Sequence, residues 1–560
     1  MSIFLIHNTD RQPKAVRPIN NSWQLIPLIY GVIAVFFFSA TSLLAATYHV
    51  SPSGKNSNTG TVDAPFRTLR HATNRMAGGD SLIVGDGTYI GEENQIGEIP
   101  NGTPGQYTLI QAEHPFLSIL EGTGKDVYQD GHQLTPIRLI NNSYIQIKGL
   151  KIKNSPTGGA IAVIASHHIK LLLISIINGT RFDDQWGSPI VITNGSHHVL
   201  LEDAWITGAM RDGVLVYGNN HSDSNKERDT TRHVILRRVV VRWDYAKTHE
   251  PKAGIAFYGA DDFAVNGAVI DSVCQNCIVL DLNPGEHYYN MYGAYYNPKT
   301  TQNISYYGSI ALNIKGATTE SDMGGFFIAD NYDQNNGHKL IQSVAWDITG
   351  PAVRFSKGDP NGFGEINQST LGNSNYGVFI GGEPGESRLP IKIKNSLLLN
   401  NKEIYSSLRD LLTWSSYNLY FPISVPHLLK SKLYSFKNSA HALTSDAKMK
   451  YLTRIEADSP AYHSGESGVS RGATILYRYG ESGTLWGEPG WDTLTTKPLW
   501  PWPYQDQIKA DFSEPNYPPK GAYPPINNTR RGFCAKDQTL TKYIWEYLGN
   551  PIPALFEVGK

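Results

Sequence analysis

Six side chains that could do chemistry stand just ahead of, or at the start of, glycine-led apolar runs. They are Trp186, Arg211, Asp212, Lys252, Tyr292 and Asp322. A lysine such as Lys252 can remove a proton if burial and neighbouring positive charge lower its pKa, and Arg211 or His249 could assist it. The two aspartates could hold a metal ion or orient a substrate, while the aromatic rings offer flat faces to a ligand. The alternative interpretation is that these are solvated loop charges in ordinary ion pairs.

Two kinds of short apolar run alternate from about Ile145 to Ile393 and must position those residues. The first kind begins at Tyr144, His168, His198 and His233, and the second at Gly159, Pro189, Gly213, Gly254, Gly325 and Gly377. Strands of fixed length joined by loops of variable length are typical of a parallel β-solenoid. Because coils of a solenoid stack about 4.8 Å apart, equivalent loop positions reach one face. The sequence therefore predicts that the six side chains line one groove.

The overall charge is balanced. The chain of 560 residues has a formal net charge of −1, and 18% of its residues are charged. Such a chain has no global field that favours nucleic acid, so we expect no nucleic-acid partner, and an anionic polymer would need a local basic patch. Three cysteines, Cys274, Cys277 and Cys534, are too few for a disulfide scaffold. The Cys274–Cys277 pair is interpreted as small residues at a strand turn, with a local disulfide or a redox role as alternatives.

The N-terminal segment predicts export. Arg11, Lys14 and Arg17 precede an apolar stretch that runs from Leu25 to Ala46. The stretch has the length of a membrane span, and positive charge on its N-terminal side predicts that the rest of the chain crosses the membrane. Residues 1–46 are therefore predicted to be a signal peptide or an N-terminal membrane anchor, and the protein to be secreted or held in the cell envelope.

The first segment after the leader carries a helix pattern and a set of motifs. Phe66, Leu69, Ala72, Thr73 and Met76 recur at helical spacing, which predicts an N-terminal capping helix. The motifs around it are Val50-Ser51-Pro52-Ser53-Gly54, Ala64-Pro65-Phe66, Thr68-Leu69, Gly79-Asp80 and Gly87-Thr88-Tyr89. In these motifs the chain resembles secreted right-handed parallel β-helix proteins of the pectate lyase superfamily, in particular the family nine polysaccharide lyases and their bacterial relatives.

The resemblance implies the domain organisation. We expect an all-β fold, with a right-handed parallel β-helix over 47–400 and an irregular, aromatic-rich C-terminal cap over 401–560. The cap contains a cluster of tryptophans, Trp486, Trp491, Trp500 and Trp502. This cluster is interpreted as packing of the cap, with a sugar-stacking platform as the alternative.

The resemblance also implies a reaction, which is elimination on a uronic acid polymer outside the cell. On this hypothesis Lys252 is the base, Arg211 or His249 its helper, and Trp186 and Tyr292 bind the sugar chain. A calcium ion held by carboxylates is the expected cofactor, because a cation must neutralise the uronate carboxylate and the developing enolate. Asp212 and Asp322 are its candidate ligands. The alternative, from another class, is a non-catalytic surface protein that uses the same groove for glycan binding or adhesion.

Overall fold

The computed structural model describes most of the chain beyond the predicted leader. The described residues are 45–122, 135–155, 158–180, 187–208, 211–218, 230–244, 252–259, 267–283, 291–316, 323–330, 336–356, 358–381, 390–407, 413–421, 440–514 and 532–554. The leader predicted at 1–46 lies outside them, except for Ala45 and Ala46. Within these ranges no helix is both long enough and apolar enough to cross a membrane.

Strands account for most of the regular structure. The first sixteen are β1 (Thr47–Val50), β2 (Ser81–Val84), β3 (Gly87–Ile90), β4 (Thr108–Ala112), β5 (Ser118–Glu121), β6 (Ile137–Ile140), β7 (Ser143–Lys148), β8 (Lys151–Lys153), β9 (Ile161–Ile164), β10 (His167–Ile177), β11 (Ile190–Thr193), β12 (His197–Thr207), β13 (Asp212–Tyr217), β14 (Thr231–Asp244), β15 (Ala253–Tyr258) and β16 (Val269–Gln275).

The later strands continue the same series. They are β17 (Ile278–Asn283), β18 (Gly293–Pro298), β19 (Thr301–Tyr307), β20 (Ile310–Ile314), β21 (Gly324–Asp330), β22 (Lys339–Ile341), β23 (Val344–Phe355), β24 (Gly364–Asn367), β25 (Thr370–Ile380), β26 (Ile391–Lys394), β27 (Leu397–Leu399), β28 (Glu403–Ser407), β29 (Thr413–Ser416), β30 (Leu419–Phe421), β31 (Tyr477–Tyr479) and β32 (Leu494–Pro498).

The first thirty strands form three parallel sheets that wind around one core. The first sheet runs β1–β2–β4–β7, through the first halves of β10, β12 and β14, to β16–β19–β22–β24–β26–β29. The second runs β3–β5–β8, through the second halves of β10, β12 and β14, to β17–β20, the first halves of β23 and β25, and β27–β30.

The third sheet runs β6–β9–β11–β13–β15–β18–β21, then through the second halves of β23 and β25 to β28. The predicted parallel β-helix is therefore confirmed. Its ladder continues past 400, where the sequence predicts an end, as far as Phe421 in β30.

Equivalent apolar residues stack inside the coil, which explains why the runs recur in the sequence. Ile145, Ile169, Val199 and Val234 pair in register on successive coils, and each is fully buried. Burying one such side chain stabilises the fold by about 1.5–3 kcal/mol. A lone coil cannot bury them, so each coil depends on its neighbours.

A single residue turns the chain from the first sheet to the second. From β7 onward, every coil places one residue with φ between +48° and +82° at this corner: Gly149, Leu173, Asp203, Arg238, Asn276, Gly308, Gln342, Gln368, Asn395 and Tyr417. The left-handed conformation is easiest for glycine and tolerated by asparagine, yet here larger residues adopt it as well. The main-chain ladder on both sides of the corner holds them there.

Within the described ranges, three helices accompany the strands: α1 (Leu69–Thr73), α2 (Gln505–Phe512) and α3 (Leu540–Trp545). Short 3₁₀ turns lie at Glu92–Asn94, Glu466–Gly468 and Gly532–Cys534. Helix α1 is one turn long and adds Leu69 and Ala72 to the core beside Val50 and Leu82. That it caps the solenoid stays a prediction.

The aromatic-rich C-terminal region packs along the side of the second sheet. Trp205, Trp346 and other outward-facing residues of that sheet form one apolar cluster with Trp500, Trp502 and Trp545 of the C-terminal region. Trp500 and Trp502 are 2% and 3% exposed, and the indole N–H of Trp500 donates to the carbonyl of Ile475 at 2.6 Å. Packing, rather than sugar stacking, thus accounts for these two tryptophans.

Buried charges hold this region to the solenoid. The carboxylate of Asp511, in α2, accepts hydrogen bonds from Lys151 Nζ (2.6 Å), Ser175 Oγ (2.6 Å) and Trp205 Nε1 (2.7 Å). All three donors belong to the second sheet. Each buried group therefore finds its partner only when the two parts of the chain are docked.

The three cysteines and the adjacent histidine pairs, His167–His168 and His197–His198, pack against neighbouring residues of the chain. Cys274, Cys277 and Cys534 are free and buried, which agrees with the interpretation of the pair as small residues at a strand turn. The rings of His168 and His198 stack at 4.8 Å with an interplanar angle of 2°. Burial, together with neighbouring positive charge, lowers the pKa of His198 to about 4, so the stacked rings are neutral at pH 7.

Removing the Asp511 carboxylate should loosen the C-terminal region. Asp511→Ala removes the carboxylate that lies 2.6 Å from the buried ammonium of Lys151. Breaking a buried ion pair by removing one partner costs about 3–5 kcal/mol. We expect a lower Tm and faster proteolysis within residues 440–554. Asp506→Ala, on the exposed side of the same helix, is the matched control and should change the stability by less than about 0.5 kcal/mol. Equal Tm values for the two variants would contradict this role of Asp511.

Candidate functional site

The outer face of the third sheet carries a ladder of side chains outside the central core, and the middle of this ladder is buried in a small apolar cluster of its own. In register from coil to coil it reads Arg138, Ala162, Val191, Leu215, Ala256, Tyr296, Phe327, Arg354 and Phe379. We call this surface the site face. Its middle is apolar and aromatic, and an arginine stands on either side of that middle. The C-terminal region packs mainly on the second sheet, and its apolar clusters contain no residue of the site face.

Three of the predicted residues meet at the edge of this face. The amide N–H of Lys252 donates to the carbonyl of Arg211 at 2.9 Å, and that of Tyr292 donates to the carbonyl of Lys252 at 2.8 Å. The three residues therefore stand on successive coils, one directly after another. The prediction that loop ends far apart in the sequence share one surface holds for these positions.

A buried carboxylate lies among the cations. Asp212 is 3% exposed, and burial raises its pKa to about 6 although Arg211, a hydrogen bond from Ser188 and Lys252 each lower it. The hydroxyl of Ser188 lies 3.4 Å from the Asp212 carboxylate. Burial thus opposes the charge on Asp212, whereas these neighbours and a main-chain hydrogen bond from Ala253 favour it.

Aromatic rings and cations alternate along the rest of the site face. The ammonium of Lys252 lies 5.0 Å from the centre of the Tyr292 ring, and that ring stacks on Tyr296 at 4.4 Å. Further along, the guanidinium of Arg354 lies 4.2 Å from the centre of the Phe327 ring. Such pairs hold a cation against an aromatic ring. Tyr296 and Phe327 are only 4% and 2% exposed, so the half-buried Tyr292 and Arg354 are the members of these pairs that an anionic ligand could contact.

Several residues of this surface are not among the predicted site residues. They are Tyr258, Tyr296, Phe327 and Arg354. These residues lie within the strands of the third sheet, whereas the predicted site residues stand ahead of those strands or at their start. The signal was the alternation within each run, since every second residue of these strands points outward. Tyr258 also lies near Arg211, whose charge lowers its pKa while burial raises it to about 12.

Three predicted site residues, Trp186, His249 and Asp322, lie outside the described residues. Their predicted roles in substrate binding, proton transfer and metal binding therefore stay predictions. The roles assigned to Arg211, Asp212, Lys252 and Tyr292 are likewise predictions, although their positions are now known.

A different group of side chains could hold a metal ion. Among the described residues, one atom each of Asp86, Glu113 and His114 lies within 4.8 Å of the others, and all three residues are exposed. His114 Nδ1 is 3.1 Å from both carboxylate oxygens of Asp86. The group lies at the first coils, away from Arg211 and Lys252 in the ladder.

The raised pKa of Asp212 predicts how stability changes with pH. Folding favours the protonated form of this carboxyl. Its contribution to the free energy of unfolding is therefore complete below about pH 4 and is lost as the pH rises through about 6. Asp212→Asn removes the titration. The free energy of unfolding of the natural protein relative to this variant should therefore fall by about 3 kcal/mol between pH 4 and pH 7.

Urea denaturation at a series of pH values measures that difference. Asp63→Asn, at an exposed position, serves as the control and should differ from the natural protein by a small amount at every pH. A difference that is constant with pH for Asp212→Asn would show that the carboxylate is not held as the geometry indicates.

Comparisons with known proteins agree with the fold. No protein-family model matches the chain. The chain is 22% identical to pectate lyase PEL9 of Emericella nidulans over 292 residues, which cover 44% of this chain and 70% of that protein. It is 30% identical to the uncharacterized protein YwoF of Bacillus subtilis over 106 residues, 19% of this chain and only 22% of that protein.

Solved structures of polysaccharide lyases are also similar. Pectate lyase Pel9A shares 15% identity over 76% of this chain and 93% of its own, with a TM-score of 0.37. The PL6 family alginate lyase AlyGC shares 14% identity over 76% of this chain and 57% of its own, with a TM-score of 0.47. Together with the sequence match to PEL9 and the three parallel sheets, the motifs of the first coil make this chain a relative of the pectate-lyase-like β-helix proteins.

Proposed function

We propose that the protein is a polysaccharide lyase that cleaves a uronic acid polymer by β-elimination. The observation that carries the proposal is the stack of Arg211, Lys252 and Tyr292 on three successive coils, with Asp212 buried beside the two cations. Similarity to a pectate lyase supports the same substrate class.

The reaction needs a base beside the carboxylate of one uronate unit. In the proposed step the amine of Lys252 takes the proton from C5, the electron pair forms a C4–C5 double bond, and the C4–O bond breaks. The leaving oxygen then takes up a proton. The amine of Lys252, which is 7% exposed beside Arg211, is the group placed to act as this base.

The cations and rings around Lys252 position the substrate. The guanidinium of Arg211 would pair with the uronate carboxylate, whose charge grows as the proton leaves. The ring of Tyr292 lies next to the ammonium and is supported from behind by Tyr296, which is 4% exposed, so Tyr292 is the ring that would contact the sugar. Asp212 holds Arg211 and Lys252 in place and takes no proton from the substrate.

The described residues around Asp212 are a poor fit for calcium. This ion takes six to eight oxygen ligands, but Asp212 is a single buried carboxylate with two cations beside it, and burial raises its pKa. The other predicted ligand, Asp322, lies outside the described residues. The proposed step therefore uses no metal ion, and calcium binding stays a prediction.

The leader predicts where this reaction takes place. We infer that residues 1–46 direct the protein out of the cytoplasm, where extracellular polysaccharide is available. Expression of the full chain and of residues 47–560 in a bacterial host, followed by cell fractionation, tests this inference. We expect the full chain in the envelope or the medium and the truncated chain in the cytoplasm. The same location for both would contradict it.

Replacement of the base should abolish turnover. Lys252→Ala should lower kcat about 10²–10⁴-fold on whichever of pectate and alginate the natural protein cleaves, measured by the ultraviolet absorbance of the unsaturated product. Lys339→Ala, a half-buried lysine of the first sheet, is the control and should leave the rate unchanged. Circular dichroism should show that both variants are folded.

The experiment also separates the two classes of function. Binding of the polymers by the natural protein without any unsaturated product would favour the non-catalytic glycan-binding protein. Turnover that survives in Lys252→Ala would overturn the role given to this lysine.

A further inference from the structure

A polar cavity lies at the start of the site face. Its volume is about 800 Å³, and it opens between helix α1, the segment 95–101 and the first strand of the third sheet, β6. Arg70, Glu98 and Arg138 bring charge to its lining, and Asn101, Asn141 and Asn142 bring amide groups. Neither the core nor the proposed reaction uses this cavity.

The two arginines of the cavity differ in their partners. The guanidinium of Arg70 lies 3.3 Å from the carboxylate of Glu92 and 3.4 Å from the amide oxygen of Gln95. For Arg138, by contrast, no hydrogen bond or ion pair of the guanidinium connects to any residue that the structure describes, and burial lowers its pKa. A half-buried guanidinium of this kind gains most from a carboxylate ligand, which it can bind with two parallel hydrogen bonds.

The amide wall of the cavity is already fixed. Asn142 is 6% exposed, and its amide donates to the carbonyl of Ile99 at 2.9 Å and to the side-chain oxygen of Asn101 at 3.1 Å. The side-chain oxygen of Asn101 also accepts from the main-chain N–H of Ser143 at 3.0 Å. The wall is therefore preorganised, so a ligand would not have to order it.

The cavity and the candidate site lie along the same sheet. Arg138 is the first residue of the outward ladder, and Ala162, Val191 and Leu215 follow it in register. Four strand spacings separate β6 from β15, next to Lys252, which is about 19 Å.

We propose that this cavity is a distal subsite that binds the carboxylate of a uronate unit through Arg138, several units away from the bond that is cleaved. The proposal rests on the proposed function for its substrate class. One polymer chain would then lie along the site face, with one unit at Arg211 and Lys252 and another in the cavity. A disaccharide is too short to reach both places, whereas an octasaccharide spans them.

Oligomers of different length test the subsite. The probes are saturated di- and octasaccharides of galacturonate and of mannuronate, and binding is measured by titration calorimetry on Lys252→Ala so that turnover cannot consume them. We expect the octasaccharide to bind tighter than the disaccharide. Adding Arg138→Ala should weaken the octasaccharide about tenfold or more and leave the disaccharide unchanged, because a hydrogen-bonded charge pair contributes about 1.5–3 kcal/mol.

Two controls test whether the effect is specific to Arg138 and to a ligand with carboxylates. Arg67→Ala removes an exposed arginine near α1 that does not line the cavity, and it should change neither affinity. A neutral cello-octasaccharide should not distinguish Arg138→Ala from its parent, since it carries no carboxylate. In the active protein Arg138→Ala should raise KM for the octasaccharide and leave kcat unchanged.

The outcomes separate the subsite from the reaction. Equal effects of Arg138→Ala on short and long oligomers, or no effect on either, would overturn the subsite even if turnover is observed. A length-dependent loss of binding supports the subsite even if no product forms, in which case only the proposed reaction fails.

Discussion

The main-chain ladder between successive coils is the constraint on which the rest of the structure depends. In a parallel sheet each residue is fixed opposite one residue of the next coil, so a shift of one position would turn every side chain to the other face. The same bonds that stack Ile145, Ile169 and Val199 inside therefore stack Arg211, Lys252 and Tyr292 at the edge of the site face. The same strand register therefore positions both the core and the candidate site.

The outer faces of the three sheets differ in what packs against them. The second sheet is covered by the C-terminal region, whose Asp511 meets Lys151 inside the interface. The corner between the first and second sheets is covered as well. There the buried guanidinium of Arg237 contacts the carboxylate of Glu202 at 3.1 Å and donates to the carbonyl of Glu481 at 2.7 Å. On the third sheet Ala256, Tyr296 and Phe327 are buried in a small apolar cluster of their own, with Tyr292 packed against it. Among the described residues, the C-terminal region contributes to the apolar clusters of the first and second sheets and not to this one.

The sequence predicted the coil and part of the site for the same physical reason. Inward residues must be apolar in every coil, so their recurrence is visible in the sequence. That recurrence also aligns the residues ahead of Gly213 with those ahead of Gly254. The outward ladder was harder to find, because Ala256, Tyr296 and Arg354 share no chemical type and appear as ordinary strand residues. The burial of Asp212 between two cations could not be foreseen either, because it depends on how Ser188 of the preceding coil packs against it.

The single-residue corner between the first two sheets limits where such a chain can change. An inserted residue at Leu173, Asp203 or Arg238 would break the pairing of two sheets at once, whereas the stretches that join separate strands of the third sheet to strands of the other two range from two residues, between β9 and β10, to fifteen, between β5 and β6. Evolution is therefore free to lengthen or exchange segments only at the borders of the face that carries the candidate site. A new ligand preference can arise there without any cost to the folding of the coil.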